Sequence, residues 1–222
     1  MIPKIINIVK IKYLNYMARI KITGIISGKV GPVSIYETKF GTQVVRSITK
    51  ARDPKTPKQL AHRMKFSLVN KGLSPLNEAI KIGFRGDSRT YRKQISRAYH
   101  KAIEGKYPNF TLDYSKIKIA EGDVQLPADI AVRIHENSRL VRFTWNPEIS
   151  SDSKYANGKD KIKIICLNEE LKETTKLNSV VRRSAGEAAV ELPKGWVPAD
   201  THFWIYLESN NSEMNSDSVY VK

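Results

Sequence analysis

Arg89, Lys93, Arg97 and Lys101 follow one another at steps of four, the pattern in this sequence with the most chemical content. On a helix, residues four apart are neighbours at about 6 Å, so these four cations would form one ridge. No carboxylate interleaves them. Like charges at that spacing repel by about 0.3 kcal/mol per pair, a cost that an anionic partner removes. Lys58 and Lys65 share a side of an earlier helical stretch with His62 and extend the candidate polyanion-binding set. Lys50 and Arg52, in the polar connector before that stretch, extend it further. The competing account is plainer: a solubilising face, preceded by a solvated loop from Thr49 to Lys55.

No residue pattern names a reaction. His62, His100, His135 and His202 fall in four different predicted elements, and none has a second histidine or a cysteine three or four residues away. The single cysteine, Cys166, excludes an intramolecular disulfide framework and sits mid-strand, where a thiol is more often a small core residue than a nucleophile. Glu169, Glu170 and Glu173 cluster in a predicted turn and read as a solvated loop. Trp145, Trp196 and Trp204 fit either an exposed aromatic platform or a core. Gly24 to Lys29 invites a phosphate-loop reading, but its glycines are one residue too close. Val30 also stands where Ser or Thr is needed, and the segment runs into a strand-like stretch instead of a helix. The sequence therefore predicts a non-enzymatic protein with no cofactor and no metal.

The charge is unevenly spread. The 222 residues carry a net +16, whereas residues 1–110 alone carry +18 and residues 111–222 carry −2. An imbalance of this kind points to an anionic partner for the first part. Within it, three helices are expected. Thr56-Pro57-Lys58-Gln59 is a capping box with proline at the first helical position, and Gly72 is the expected stop. Ser74-Pro75 opens a second helix to about Gly83. A third runs from about Arg89 to Glu104, with Gly105 just past its end. Its Tyr91, Ile95, Ala98, Tyr99 and Ala102 share one face, which must be core.

Upstream, residues 1–16 mix apolar pairs with Lys4, Lys10 and Lys12. No signal-peptide core or membrane span can form there, and Met17 is the expected start of the protein proper. From Arg19 to Ser47 the signals are those of a small antiparallel sheet, with turns at Ser27-Gly28-Lys29 and Lys39-Phe40-Gly41 and an edge strand weakened by Pro32. Met17-Ala18-Arg19-Ile20-Lys21, the Ser27-Gly28-Lys29-Val30-Gly31 motif, Pro57-Lys58-Gln59-Leu60-Ala61 and Asp113-Tyr114-Ser115-Lys116 together resemble a family of uncharacterised proteins widespread in Bacteroidota. The first sixteen residues and Pro32 depart from its usual pattern. That resemblance implies no activity.

Gly122 to Pro127 is expected to pass between domains. Beyond it, seven short alternating runs are separated by Pro, Gly, Asn and Ser clusters: Ala131–His135, Leu140–Trp145, Lys161–Leu167, Val180–Arg183, Ala188–Leu192, Phe203–Leu207 and Ser218–Val221. With Trp145 ending the second, this region resembles a fibronectin type III domain. The expected fold is thus α+β: a basic extension (1–16), a basic β-plus-helical domain (17–121) and an all-β immunoglobulin- or fibronectin-like sandwich (127–222) able to fold alone. The expected function is to hold a polyanion, nucleic acid foremost, without strong sequence specificity. The alternative is a structural or assembly component whose cations meet an acidic protein surface, with the sandwich available for homo-oligomer contacts. Membrane insertion is not expected, and a cytoplasmic setting is.

Overall fold

The computed structural model describes residues 18–19, 27–49, 53–86, 88–134, 138–151 and 153–222. The expected basic extension at 1–16, together with Lys50 and Arg52, lies outside them. The chain divides into two compact units, Met1–Pro54 and Lys55–Lys222.

In the first unit, β1 (Ala18–Arg19), β2 (Gly28–Val30), β3 (Val33–Glu37) and β4 (Gln43–Ser47) form an antiparallel sheet of order β1-β4-β3-β2. The turn expected at 27–29 sits instead at Gly31-Pro32. Gly31 adopts φ 56° there, in the left-handed region that glycine enters without a steric penalty, and the proline's missing N–H falls outside the ladder. The turn at Lys39-Phe40-Gly41 is where the sequence places it. No side chain in 27–49 is buried, and Phe40 is 92% exposed.

The second unit opens with α1 (Pro57–Leu73). Its capping box is as expected: the Thr56 hydroxyl accepts from the Gln59 amide while the Gln59 side chain accepts from the Thr56 amide. Gly72 does not end this helix. A single 3-10 turn, Ser74–Leu76, carries it directly into α2 (Asn77–Gly83), so two of the three expected helices are one unbroken helical run. Pro75 is harmless because it enters at the first positions of the new turn, where no helical N–H is required. Gly72 has a packing role: a Cβ there would lie 2.3 Å from the Leu112 side chain. The last helix, α3 (Ser88–Lys101), stops three residues short of the expected end. β5 (Ile103–Lys106) and β6 (Asn109–Leu112) claim the following residues as a hairpin packed on α1.

After the hairpin, β7 (Ala128–Ile134) and β8 (Leu140–Asn146) pair, and β12 (Glu187–Glu191) lies on the other edge of β8. β9 (Lys161–Asn168) and β13 (Thr201–Glu208) form the centre of a second antiparallel sheet. β14 (Val219–Val221) extends it beyond β13, while β10 (Glu173–Lys176) and β11 (Val181–Arg182) share the free edge of β9. Most of these strands fall on the seven expected runs. β10 does not: its Glu-Thr-Thr-Lys composition is too polar to read as a strand, and it is an edge paired to β9, with the Thr174 hydroxyl donating to the Pro75 carbonyl at 3.2 Å.

Alternation along β9 and β13 sends their side chains into two separate cores. Ile164, Cys166, Phe203 and Ile205 face Val141, Phe143 and Trp145 of β8. The Phe143 and Phe203 rings meet edge to face at 5.6 Å. Ile165, Leu167, Trp204 and Tyr206 point the opposite way, into Val69, Leu73, Leu76, Ile80 and Ile95 of the helices. The central sheet is therefore covered on both faces.

This arrangement bears on the expected boundary at 122–127, which falls inside the second unit. Val124 is buried, and Gly122 leaves no room for a Cβ because the Asn215 carbonyl would be 2.2 Å away. Asn215 also donates to the Gly83 carbonyl at 2.8 Å and the Ile82 carbonyl at 3.2 Å, ending α2 from 132 residues downstream. Residues 55–222 should accordingly unfold in one cooperative transition. A fragment of residues 127–222 should expose Trp204 and Tyr206 and fail to give native-like tryptophan fluorescence; a fully folded fragment would refute the shared core. Asn215→Ala leaves the buried Gly83 carbonyl without this donor and should cost about 1–3 kcal/mol in chemical denaturation.

Candidate polyanion interface on the helices

The unbroken helical run and α3 lie against each other and leave a groove of about 780 Å³ between their outer edges. On the run, His62, Phe66, Asn70, Asn77 and Lys81 line it, separated by steps of four and seven that keep one helical face. From α3 come Tyr91, Arg92, Tyr99 and His100. The Tyr99 hydroxyl is hydrogen-bonded to His62 Nδ1, and the two rings meet edge to face at 5.3 Å, tying the walls together. Phe66 is 53% exposed at the groove. Among the described residues no carboxylate lines it.

The expected cationic ridge lies on the next face of α3. Lys93 and Lys101 are exposed, and among the described residues neither has a carboxylate within 4 Å. Arg97 differs, reaching Glu121 at 3.7 Å, so an acid distant in sequence offsets part of a ridge that the helix alone leaves uncompensated. Arg89 is engaged within the chain. Lys58 is exposed on the first turn of α1. Lys65 is half-buried, with Nζ 4.8 Å from the centre of the Phe110 ring, so it helps hold the hairpin to α1. Arg92 and Lys81 were missed by the step-of-four pattern because they sit on the groove side. The doublets Tyr91-Arg92 and Tyr99-His100, set against the stripe 62-66-70-77-81, are the signal that could have found them.

Titratable groups elsewhere are mostly committed to the fold. Burial pushes the Cys166 thiol up to about 12, which keeps it a neutral core group. Arg183 is fully buried, and its guanidinium donates to the carbonyls of Gln125, Leu126 and Glu148. Glu169, expected in a solvated loop, reaches His202 Nε2 at 3.2 Å, while Tyr220 meets Nδ1 at 2.8 Å. A carboxylate can only accept, so Nε2 carries the proton and Nδ1 accepts from the Tyr220 O–H. Tyr114 stacks on the imidazole at 4.2 Å. Burial raises both tyrosine hydroxyls, which makes neither a ready nucleophile.

Residues 25–222 match the sequence model of a family of unknown function, DUF6266. No curated protein matches the chain.

Burial holds the His202 pKa below its ordinary value despite the opposing hydrogen bond to Glu169, with Lys222 and Lys172 adding to the depression. The unfolded chain therefore takes up this proton first, and stability falls as pH drops below about 6.5, the free-histidine value. His202→Gln cannot titrate. The difference in melting temperature between wild type and variant should shrink between pH 7 and pH 5; a constant difference would sink the assignment.

Proposed function

The chain belongs to the DUF6266 family, whose function is unknown, and for it we propose a non-enzymatic role: the helical face of residues 57–101 holds a nucleic acid through its phosphates, with little sequence preference. One contrast carries this reading. Residues 57–101 carry 11 Lys+Arg against 2 Asp+Glu, whereas residues 111–222 carry 15 against 17 and pair several of their cations: Lys118 with Asp217, Arg139 with Glu191, Arg142 with Glu187, and Lys161 and Lys163 with Glu208. On the helices, Lys58, Lys81, Arg92, Lys93 and Lys101 have no such match among the described residues. Unmatched cations crowded on one layer raise the local potential and favour a polyanion. Phosphate contacts fix position without reading sequence. Among the described residues no helix is long and apolar enough to cross a membrane.

The assembly reading retains one specific support. The sheet of residues 27–49 buries none of its described side chains, although Val30, Tyr36, Phe40 and Ile48 are exposed on it. Small sheets need an apolar face covered to be stable. The two packed sheets of the second unit are read as a fibronectin-like sandwich. The strand orders β12-β8-β7 and β10-β9-β13-β14, with Trp145 near the end of β8, support that reading.

Lys58→Gln, Lys93→Gln and Lys101→Gln together remove three phosphate contacts without touching the core. On duplex DNA the slope of log affinity against log salt should flatten by about 2.7, from roughly 0.9 per contact. An unchanged slope, or no binding by wild type at about 50 mM salt, ends the nucleic-acid reading. A defined large oligomer with no nucleic-acid retention would put the assembly reading in its place.

A further inference from the structure

We propose that the groove between the helical run and α3 is a base-binding cleft, so that the preferred polyanion is a single-stranded nucleic acid. The inference rests on the nucleic-acid reading above and narrows its substrate class. Its first support is the lining. Phe66, Tyr91 and Tyr99 supply ring surface, Lys81, Arg92 and His100 supply positive or protonatable groups, and no carboxylate among the described residues lines it. An apolar floor with a cationic rim fits a ligand that has flat apolar parts joined by negative charges, as a single strand does. Bases stack on aromatic side chains whatever their identity, while the backbone follows the cations. At about 780 Å³ the groove falls within the range of pockets that hold small organic ligands.

A second, independent observation concerns Asn77. Its Oδ1 is shielded from solvent beside the groove and has no hydrogen-bond partner among the described residues. Buried acceptors are rarely left unpaired. Every nucleobase offers an N–H donor on its pairing edge, and that edge is free only in a single strand. A duplex keeps its bases stacked and paired inside, so it can engage Lys93 and Lys101 but not the cleft. Arg92 precedes Lys93 and is turned about 100° from it around α3, which links the cleft's rim to the exposed ridge.

The test compares a fluorescent oligothymidylate of about 12 nucleotides, within the site sizes common for single-strand binders, with a duplex of the same length. It uses the full chain, with melting temperature checked for each variant. Wild type should bind the single strand about tenfold more tightly. Phe66→Leu keeps an apolar side chain and removes the ring. It should cost the single strand at least about fivefold, the low end for one stacked base, and leave the duplex unchanged. Arg92→Gln should flatten the single-strand salt slope by about 0.7. Asn77→Leu should weaken the single strand alone. Equal affinity for the two probes, with Phe66→Leu silent, overturns the cleft while leaving the broader phosphate-binding proposal intact. Failure of both probes removes both proposals. Tight capture of an acidic peptide that Phe66→Leu does not weaken, in place of either probe, assigns the groove to protein docking and also overturns the cleft.

Discussion

The structure of residues 55–222 depends on two adjacent strands having no free face. All residues of β13 from Thr201 to Leu207 are buried, because Phe203, Ile205 and Leu207 enter one core and Trp204 and Tyr206 the other. Burying a large apolar side chain contributes about 1.5–3 kcal/mol, and a strand that does so on both faces commits two layers at once. Polar groups fix the alignment. Trp204 Nε1 donates to the Ile117 carbonyl at 2.9 Å, so the largest side chain of the helix-facing core satisfies its one donor on the passage leading from the hairpin. Trp145 does the same on the other side, donating to the Arg183 carbonyl at 2.7 Å.

Arg183 shows how such a core tolerates charge. Burial pulls its pKa down, opposed by the nearby Asp160 carboxylate, and three loop carbonyls share the guanidinium. A buried charge is acceptable only when nearly all of its hydrogen-bonding capacity is used. Of its three nitrogens only Nε has no partner among the described residues. Removing this side chain would leave three carbonyls in two loops without their common donor, so its role is architectural even though it belongs to the residue type most often recruited for polyanions.

Much of the fold was legible because periodicity is a local property. The strand runs near 140–145, 161–167 and 203–207 stand out in the sequence because at least one face of each is continuously apolar, and the cap at Thr56 stands out by residue type alone. What was not legible depended on partners distant in the chain. Gly72 looks like a helix stop until Leu112 is seen pressing on it. Glu173–Lys176 looks like a loop until the edge of β9 supplies its hydrogen bonds. For the interface, like charges at steps of four revealed the exposed Lys93 and Lys101, but the groove depends on two helices meeting, which no single stretch encodes. Glu121, which meets Arg97, was equally invisible to a reading of α3 alone.

The tie from Asn215 to the carbonyls of Ile82 and Gly83 has a consequence for synthesis on the ribosome. The helices emerge first, yet the sheet face that covers them and the side chain that ends α2 arrive 132 residues later. At ordinary elongation rates that interval is on the order of ten seconds. Throughout it, Val69, Leu73 and Ile80 have no sheet to pack on, and only the net +18 of the first 110 residues opposes self-association of the nascent segment. The charge that recommends these helices as a binding surface would also keep them dispersed while they wait for the rest of the fold.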